Sequence, residues 1–373
     1  MNGSMTYGNT TAGRLDCKTL LDLEGHETPI PSAFMFSLGV LGNLIALVLL
    51  EKRRRELRGK ITLFFILVTG LVITDLIGTC MLSPVVLTSY SRGHTLLKMG
   101  LCDYFAFAMT FFSLATMMVL FAMALERALA IGHPYFYEKV IKKRCGVITF
   151  PVIYGISILF CLLPIMGFGE YIQYCHGTWC FIDMKGRKND TRSNKVYSML
   201  YATILLLLIL AVLACNFIVI VSLVRMHKRQ KTRRLGSVTT NKRTKISVSE
   251  EIDHLILLSI MTFAFIICSV PFTVRVYINR VTGDKGEDDM DLLALRFLSA
   301  NPIIDPWIFT ILRPFVLRVM RSILCCRSSL NSKSISSFPS LSTRLAAKAT
   351  LASESTYGIS KKTPIDNGEK TDT

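Results

Sequence analysis

Long apolar runs, separated by short polar segments, recur seven times along the chain. Each run covers about 20 residues or more, so that as an α-helix it would cross the roughly 30 Å of hydrocarbon in a bilayer. Seven runs of this length favour membrane spans over buried helices of a soluble core. The predicted spans are residues 31–50, 61–90, 101–131, 146–168, 196–224, 254–279 and 292–312.

The polar segments divide the rest of the chain. Residues 1–30 lack the basic-then-apolar pattern of a cleaved signal peptide. Residues 313–326 indicate an amphipathic juxtamembrane helix, and residues 327–373 a disordered tail. The expected fold is an all-α membrane protein, a seven-transmembrane helix bundle over residues 31–312 with a short amphipathic eighth helix.

Composition agrees with the apolar pattern. Hydrophobic residues make up 51% of the 373 residues and charged residues 18%, yet 43 basic residues against 26 acidic ones give a net charge of +17. Soluble proteins carry about 25% charged residues. A soluble nucleic-acid binder would also be basic, but without so many apolar runs. Composition therefore argues against a soluble enzyme, a disordered chain and a nucleic-acid partner.

The basic residues predict the orientation. Segments after the first, third, fifth and seventh spans hold 29 of the 43 lysines and arginines, and the other polar segments hold 11. Positive residues accumulate on the cytoplasmic side, which places the N-terminus outside and the C-terminus inside a plasma membrane. Three glycosylation sequons then lie outside, at Asn2, Asn9 and Asn189.

Cysteines divide in the same way. Four fall in outer segments, namely Cys17, Cys102, Cys175 and Cys180. An oxidising exterior lets them pair, and spacing alone leaves three pairings open. Cys325 and Cys326 follow the arginine-rich stretch after the seventh span, where acylation would anchor a helix to membrane lipid. An unmodified cytosolic pair is the alternative.

Polar residues inside spans are costly and therefore indicate function. Asn43, Asp75 and Asp305 lie near mid-membrane, where two carboxyl groups at similar depth would share a proton, bind a cation or perform acid–base chemistry. Glu126-Arg127 ends the third span, where the arginine can pair with its neighbour or reach water. The others are Asn216, Arg275, Arg296 and Asn301.

No enzyme motif accompanies these residues. The sequence has no His-Glu-x-x-His, Gly-x-Ser-x-Gly or phosphate-binding glycine loop, and Asp75 and Asp305 lack the glycine-rich context of an intramembrane protease. We expect no enzyme, no cofactor and no metal site. A secondary transporter would show repeated halves, and spans one to three do not resemble spans four to six. An organic-anion transporter remains the remote alternative.

Arg296 indicates the kind of ligand. It lies about five residues, or roughly 7 Å, inside the seventh span from the outer side, and a guanidinium there requires a carboxylate. Asp103 is the one acid at similar depth on another span, so an anionic ligand group is the favoured partner. Pairing with the acidic loop at residues 287–289 is the alternative.

The third span excludes one class of ligand. It contains no Asp or Glu between Tyr104 and Leu125, so a cationic amine would find no counter-ion there. A cavity rich in Met, Phe and Thr with one arginine suits a lipid acid, its carboxylate at Arg296 and its chain against the helices.

In their order and spacing these residues resemble the rhodopsin-like G-protein-coupled receptors over residues 31–326. The matching positions are Gly42-Asn43, Asp75, Cys102, Glu126-Arg127, Pro271 and Asp305-Pro306. Residues 173–181, 295–299 and 304–309 are similar to those of the prostanoid subfamily. Residues 105–127, 131–137 and 253–258 resemble most its Gs-coupled prostaglandin E receptors. Residues 166–169 resemble the prostaglandin D receptor, so prostaglandin D or prostacyclin is the alternative ligand, with the same coupling.

The resemblance implies disulfides Cys102–Cys180 and Cys17–Cys175. It also implies a ligand site in which three residues meet the prostaglandin carboxylate, Arg296, Thr178 and Tyr90. The residues expected to line the rest of the pocket are Ser32, Met35, Trp179 and Ser299.

Signalling is implied as well. The expected switch residues are Asp75, Glu126, Arg127, Pro271 and Asp305, and the loop His133-Pro134-Tyr135 would contact heterotrimeric Gs, raising cAMP. Serines and threonines beyond Ser328 would be targets of receptor kinases and arrestin, with a tail of no function as the alternative. The chain departs from many rhodopsin-like receptors at Ala128, at Phe309 and in lacking a tryptophan before Pro271. Prostanoid receptors share the last two departures.

Overall fold

Helices account for most of the computed structural model, which describes residues 20–23, 28–56, 61–141, 143–175, 177–184, 191–234, 242–282 and 288–311, with backbone only at 143, 227–234, 242–255 and 288. Its helices are α1 (Ile30–Glu56), α2 (Leu63–Arg92), α3 (Cys102–Gly132), α4 (Pro134–Val140), α5 (Lys143–Leu162), α6 (Arg192–Arg234), α7 (Lys242–Thr282), α8 (Asp288–Ser299) and α9 (Asn301–Ile311). Strands β1 (Tyr171–Gln173) and β2 (Cys180–Ile182) pair antiparallel, with Gln173 opposite Cys180.

Six helices in the described part of the chain are long and apolar enough to cross a membrane, namely α1, α2, α3, α5, α6 and α7. They confirm six of the predicted spans. The central helix is α3, which packs against α2, α5, α6 and both strands, while α9 lies against α1 and α2. We call the end that carries the strands the strand end, and the opposite end the α4 end.

The seventh predicted span is divided into α8 and α9 at Ala300, which corrects the single helix expected over residues 292–312. Pro302 causes the break, because it has no N–H to donate to the Leu298 carbonyl. The side-chain amide of Asn301 donates to that carbonyl instead, at 3.2 Å. Because the Leu298 carbonyl accepts this bond, the break between the helices does not leave it unpaired.

Several predicted ends also need correction. The fourth span was expected to reach residue 168, but α5 ends at Leu162 because Pro164 follows. Helices α6 and α7 continue past the apolar runs that predicted them. The expected loop at His133-Pro134-Tyr135 is the start of α4, with proline at its first turn, where its missing N–H costs nothing.

A buried polar centre connects the middle of the bundle. Asn43, Asp75 and Asp305 are each at most 2% exposed, as their predicted mid-span positions require. The amide of Asn43 donates to the Gly39 carbonyl at 2.9 Å and to the Pro302 carbonyl at 3.1 Å. The hydroxyl of Thr116 donates to Asp75 at 2.9 Å. These bonds fix α1 to α9 and α2 to α3.

Several predictions lie outside the described residues. They concern the eighth helix at 313–326, the tail at 327–373, most of segment 1–30, the sequons at Asn2, Asn9 and Asn189, and the cysteines at 17, 325 and 326.

Candidate functional site

A cavity of about 500 Å³ opens near the strand end between α1, α2, α3, α8 and α9. Cavities of this size hold small organic ligands and bury most of their surface. Its walls are mostly apolar, with polar groups at both ends. The walls include Ser32, Met35, Asp75, Tyr90, Phe105, Met109, Phe112, Trp179, Arg296 and Ser299.

Helical periodicity explains how α2 and α3 supply their walls. The lining positions of α2 include 75, 78, 79, 82, 83, 86 and 90, and those of α3 are 105, 109, 112, 113 and 116. Steps of three and four residues place side chains on one face of a helix. Once Asp75 and Tyr90 are assigned to the site, the same spacing along α2 would have predicted Ser83 and Val86, which were not among the predicted site residues.

Arg296 lies on α8 and lines the cavity as an exposed residue. Its side chain has no ion-pair or hydrogen-bond partner among the described residues, and Asp289 does not pair with it. The alternative partners at 287 and 288 lie outside the described side chains. The guanidinium therefore faces the cavity without a described counter-charge.

The other predicted ligand residues separate into two groups. Tyr90, Ser32, Met35, Trp179 and Ser299 all line the cavity together with Arg296, and the Ser299 hydroxyl donates to the Arg296 carbonyl at 2.8 Å. Thr178 does not line it. Thr178 is fully buried, and its hydroxyl has no hydrogen-bond partner in the described part of the chain.

The strand pair, which we call the cover, borders the cavity through Trp179, the residue before β2. A disulfide joins Cys102 at the start of α3 to Cys180 on β2, as predicted, with Cα atoms 5.3 Å apart. Trp179 packs edge-on against Phe105, with ring centroids 5.9 Å apart. The Tyr174 hydroxyl donates to the Ile182 carbonyl at 2.7 Å, and burial raises the pKa of Tyr174 well above its usual range. The cover is therefore held in place by the disulfide to α3, the ring contact with Phe105 and the hydrogen bond of the neutral Tyr174 hydroxyl.

Residues 20–23 lie across this cover. Leu23 N–H donates to the Gly93 carbonyl at 3.1 Å, and Asp22 binds Lys98 at 2.6 Å and His94 at 3.0 Å. The hydrogen bond from Lys98 holds the pKa of Asp22 below its usual value, so this link is charged at neutral pH. Cys175 is disulfide-bonded, and its predicted partner, Cys17, lies outside the described residues.

The predicted switch residues at the α4 end form one cluster. The Arg127 guanidinium binds Glu126 with contacts of 2.5 and 2.7 Å, and its side chain is 8% exposed. It also lies over the Phe64 ring, 4.7 Å from the centroid. The Tyr137 hydroxyl of α4 donates to Glu126 at 2.6 Å. Arg127 is therefore paired inside the bundle and does not extend to water.

Two further arginines at the strand end are tied to protein groups. Arg275 of α7 binds Asp291 of α8 at 2.8 Å, and Asn279 donates to both oxygens of Asp291 at 3.0 Å. Arg280 donates to Ser198 at 2.9 Å and to the Asp183 carbonyl. Sequence analysis missed Asp291, which stands one residue before the predicted seventh span. Among the described residues, no cluster of His, Cys, Asp and Glu could hold a metal ion.

Comparisons agree with this architecture. The family model for the 7 transmembrane receptor (rhodopsin family) matches residues 42–309. The crystal structure of squid rhodopsin matches with a TM-score of 0.66 and 18% identity, covering 83% of this chain and 86% of that one. At this identity the match shows the fold alone. The chain belongs to the rhodopsin family of seven-transmembrane receptors and is a multi-pass membrane protein.

Within that family the relatives are prostanoid receptors. The chain is 53% identical to the prostaglandin E2 receptor EP2 subtype of Canis lupus familiaris, over 87% of this chain and 93% of that receptor. It is 54% identical to the EP2 subtype of Mus musculus, over 85% and 90%. The prostacyclin receptor of Homo sapiens is 43% identical, over 83% and 79%. These matches confirm the predicted subfamily and the prediction of a receptor rather than an enzyme.

Proposed function

We propose that the chain is a plasma-membrane receptor for prostaglandin E that activates Gs and raises cAMP. The observation that carries the proposal is an arginine without a described counter-charge in the wall of an otherwise largely apolar cavity of about 500 Å³. Prostaglandins are lipid acids, with a carboxylate to pair with a guanidinium and chains to pack against apolar walls. The identity of 53% with an EP2 subtype supports prostaglandin E as the ligand.

In this proposal the carboxylate binds Arg296, with Tyr90 beside it on the wall. Ser32, Met35, Ser299 and Trp179 line the same space. The chains of the ligand pack against apolar side chains of α3, including Phe105, Met109 and Phe112. Thr178 would join the carboxylate only if the strand pair shifts on binding, because it is buried outside the cavity wall.

Activation would be a shift between two helix arrangements with different affinity for the ligand. Pro271 lies inside α7 and removes one backbone hydrogen bond there, so α7 can bend at this point, as α2 and α5 can at Pro84 and Pro151. Movement of α7 would release Arg127 from Glu126 and open a cleft for the α-subunit of Gs. Asp75 and Asp305 would complete the switch. His133, Pro134 and Tyr135 would contact Gs, and Tyr135 is already 84% exposed.

The proposed function also determines which end of the receptor faces outside the cell. The strand end, with residues 1–30, faces outward, and the α4 end and tail face the cytoplasm, where kinases and arrestin act on the tail. The disulfide Cys102–Cys180 at the strand end suits an oxidising exterior. Glycosylation at Asn2, Asn9 and Asn189, a Cys17–Cys175 disulfide and acylation at Cys325 and Cys326 belong to this arrangement.

The test is a cAMP measurement in cells expressing the chain, with cells lacking it as the control. Prostaglandin E2, prostaglandin D2 and a stable prostacyclin analogue are compared over full dose ranges. We expect prostaglandin E2 to raise cAMP at the lowest concentration. A lower effective concentration for either of the others would assign the receptor to that ligand, and prostaglandin uptake without cAMP would identify an organic-anion transporter.

A further inference from the structure

We infer that a hydrogen bond from Asn216 of α6 to Thr262 of α7 restrains α7 in the arrangement that holds Arg127 inside the bundle, which is the inactive arrangement of the proposed mechanism. The Asn216 amide donates to the Thr262 hydroxyl at 2.8 Å, and both residues are buried. Neither lines the ligand cavity, so both are positioning residues. The inference rests on the proposed function, because it concerns how α7 moves when Gs is activated.

The first step is the attachment of α7 beyond Pro271, in the part that we call the strand-side half. Two side-chain hydrogen bonds tie this half to α6, one from Arg280 to Ser198 at 2.9 Å and one between the hydroxyls of Tyr277 and Thr203 at 2.8 Å. The ion pair described above ties it to α8 as well. A bend at Pro271 would therefore leave the strand-side half in place.

The part of α7 before Pro271, which we call the α4-side half, is attached differently. Beside the proline, Asn301 donates to Ser269 at 3.4 Å. Further toward the α4 end, the described side chains of α7 make one hydrogen bond to another helix, that of Thr262 with Asn216. Thr262 lies nine residues, or about 13 Å, from the proline. At this distance a bend of about 20° displaces Thr262 by about 5 Å, which breaks the bond.

The surroundings of this bond allow it to open. The side-chain oxygen of Asn216 is buried without a hydrogen-bond partner in the described part of the chain, so water entering an opening cleft would satisfy a group that the closed arrangement leaves unpaired. A void of about 10 Å³ lies beside Thr262 between α3, α6 and α7, with Met117, Val212 and Phe265 in its wall. Packing against α7 is incomplete at a void, so the hydrogen bond supplies part of the restraint there.

A restraint on α7 and a purely structural contact predict opposite results. Loss of a restraint shifts the equilibrium toward the active arrangement, which raises cAMP without ligand and lowers the effective concentration of prostaglandin E2 by a similar factor. Loss of a structural contact destabilises the receptor and lowers its surface expression and its signal together. Ligand-free cAMP relative to surface expression therefore separates the two roles.

The experiment measures cAMP in cells without ligand and over a full dose range of prostaglandin E2, relative to surface expression. Thr262→Val keeps nearly the same shape but loses the hydroxyl. We expect ligand-free cAMP to rise about fivefold and the effective concentration to fall about fivefold, because one buried hydrogen bond is lost. Asn216→Leu should change both values in the same direction, and Thr262→Ser should match the wild type.

Thr203→Val is the matched control. Thr203 and Thr262 each donate to a carbonyl of their own helix at 2.7 Å and each bond across α6 and α7, but they lie on opposite sides of Pro271. We expect Thr203→Val to keep the ligand-free cAMP of the wild type. The double variant Asn216→Leu/Thr262→Val should rise no further than the larger single effect, because both changes remove the same bond.

Ligand-free cAMP at or below the wild-type level in Thr262→Val and Asn216→Leu would overturn the inference while leaving the proposed function intact. An equal rise in Thr203→Val, or effects that multiply in the double variant, would do the same. If Thr262→Val does not reach the surface, Asn216→Leu decides by the same criteria. A wild type that raises no cAMP with prostaglandin E2, prostaglandin D2 or a prostacyclin analogue would overturn the proposed function and the inference with it.

Discussion

Gly177 shows how a single residue determines the cover of the cavity. Its φ is 76°, a left-handed conformation that only glycine adopts without strain. A Cβ at this position would lie 2.3 Å from Cγ2 of Thr95, and the Thr95 hydroxyl is itself held by the Leu20 carbonyl at 2.9 Å. Thr95 therefore has little freedom to move away from a new side chain.

Gly177→Ala should consequently destabilise the receptor by about 3 kcal/mol, from backbone strain and overpacking together. Thermal unfolding of the purified, ligand-free receptor should show a Tm lower by about 8 °C. Gly100→Ala is the matched control, since Gly100 has φ 67° but nothing within 4 Å of a new Cβ. Equal Tm values for the two variants would show that the contact with Thr95 contributes nothing.

The role of a single residue could be predicted from the sequence where a polar side chain lies inside a membrane span, because its burial there costs free energy. Asn43, Asp75 and Asp305 were predicted in this way, and all three are buried. Asp291 could not be, because it precedes the apolar run and its role depends on Arg275 of another helix. Pairs between helices depend on how the helices are rotated against each other, which one sequence does not specify.

At the scale of elements, α4 connects to the Glu126–Arg127 pair through Tyr137. The Tyr137 hydroxyl donates to Glu126 at 2.6 Å, and a hydrogen bond to a charged group contributes about 2 kcal/mol. In the proposed mechanism this bond favours the arrangement in which Arg127 is held inside the bundle.

Tyr137→Phe should therefore raise cAMP in the absence of ligand, by several-fold and at most about 30-fold, relative to surface expression. Tyr104→Phe is the control, because Tyr104 is 39% exposed near the strand end, away from α4. Ligand-free cAMP that stays at the wild-type level in Tyr137→Phe would mean that α4 does not stabilise the inactive arrangement.

Helix boundaries could be predicted only in part. The length of an apolar run shows which residues cross the hydrocarbon of the membrane. A helix, in contrast, ends where its backbone hydrogen bonding is interrupted, and this can be inside or beyond the apolar run. Pro164 ends α5 early and Pro302 divides α8 from α9, and both signals were present in the sequence. The extensions of α6 to Arg234 and of α7 back to Lys242 carried no apolar signal.

At the scale of the whole molecule, an aromatic cluster fixes the position of the cavity. Phe181 of β2, Tyr201 of α6 and Phe272 of α7 pack with ring centroids 5.4 to 5.8 Å apart. These rings fill the space between β2, α6 and α7, and the cavity lies on the side of α1, α2 and α8. Sequence analysis predicted the ligand class from Arg296 but not this placement, which requires the packing of three distant segments.

The basic residues of the chain fall into two groups that differ in position and in the role we assign to them. Most of the 43 basic residues lie in segments predicted to face the cytoplasm, while Arg296 lines a cavity near the opposite end. The first group indicates orientation, and Arg296 indicates a ligand with a carboxylate.

The most direct test of this claim is the affinity of Arg296→Ala for prostaglandin E2 and for its methyl ester, with Arg92→Ala as an exposed control on α2. Loss of one partner of a desolvated, charge-assisted contact should lower the acid affinity by about 100-fold and the ester affinity by less than about threefold. Arg92→Ala should bind both compounds like the wild type. Equal losses for acid and ester in Arg296→Ala would contradict a carboxylate site at Arg296.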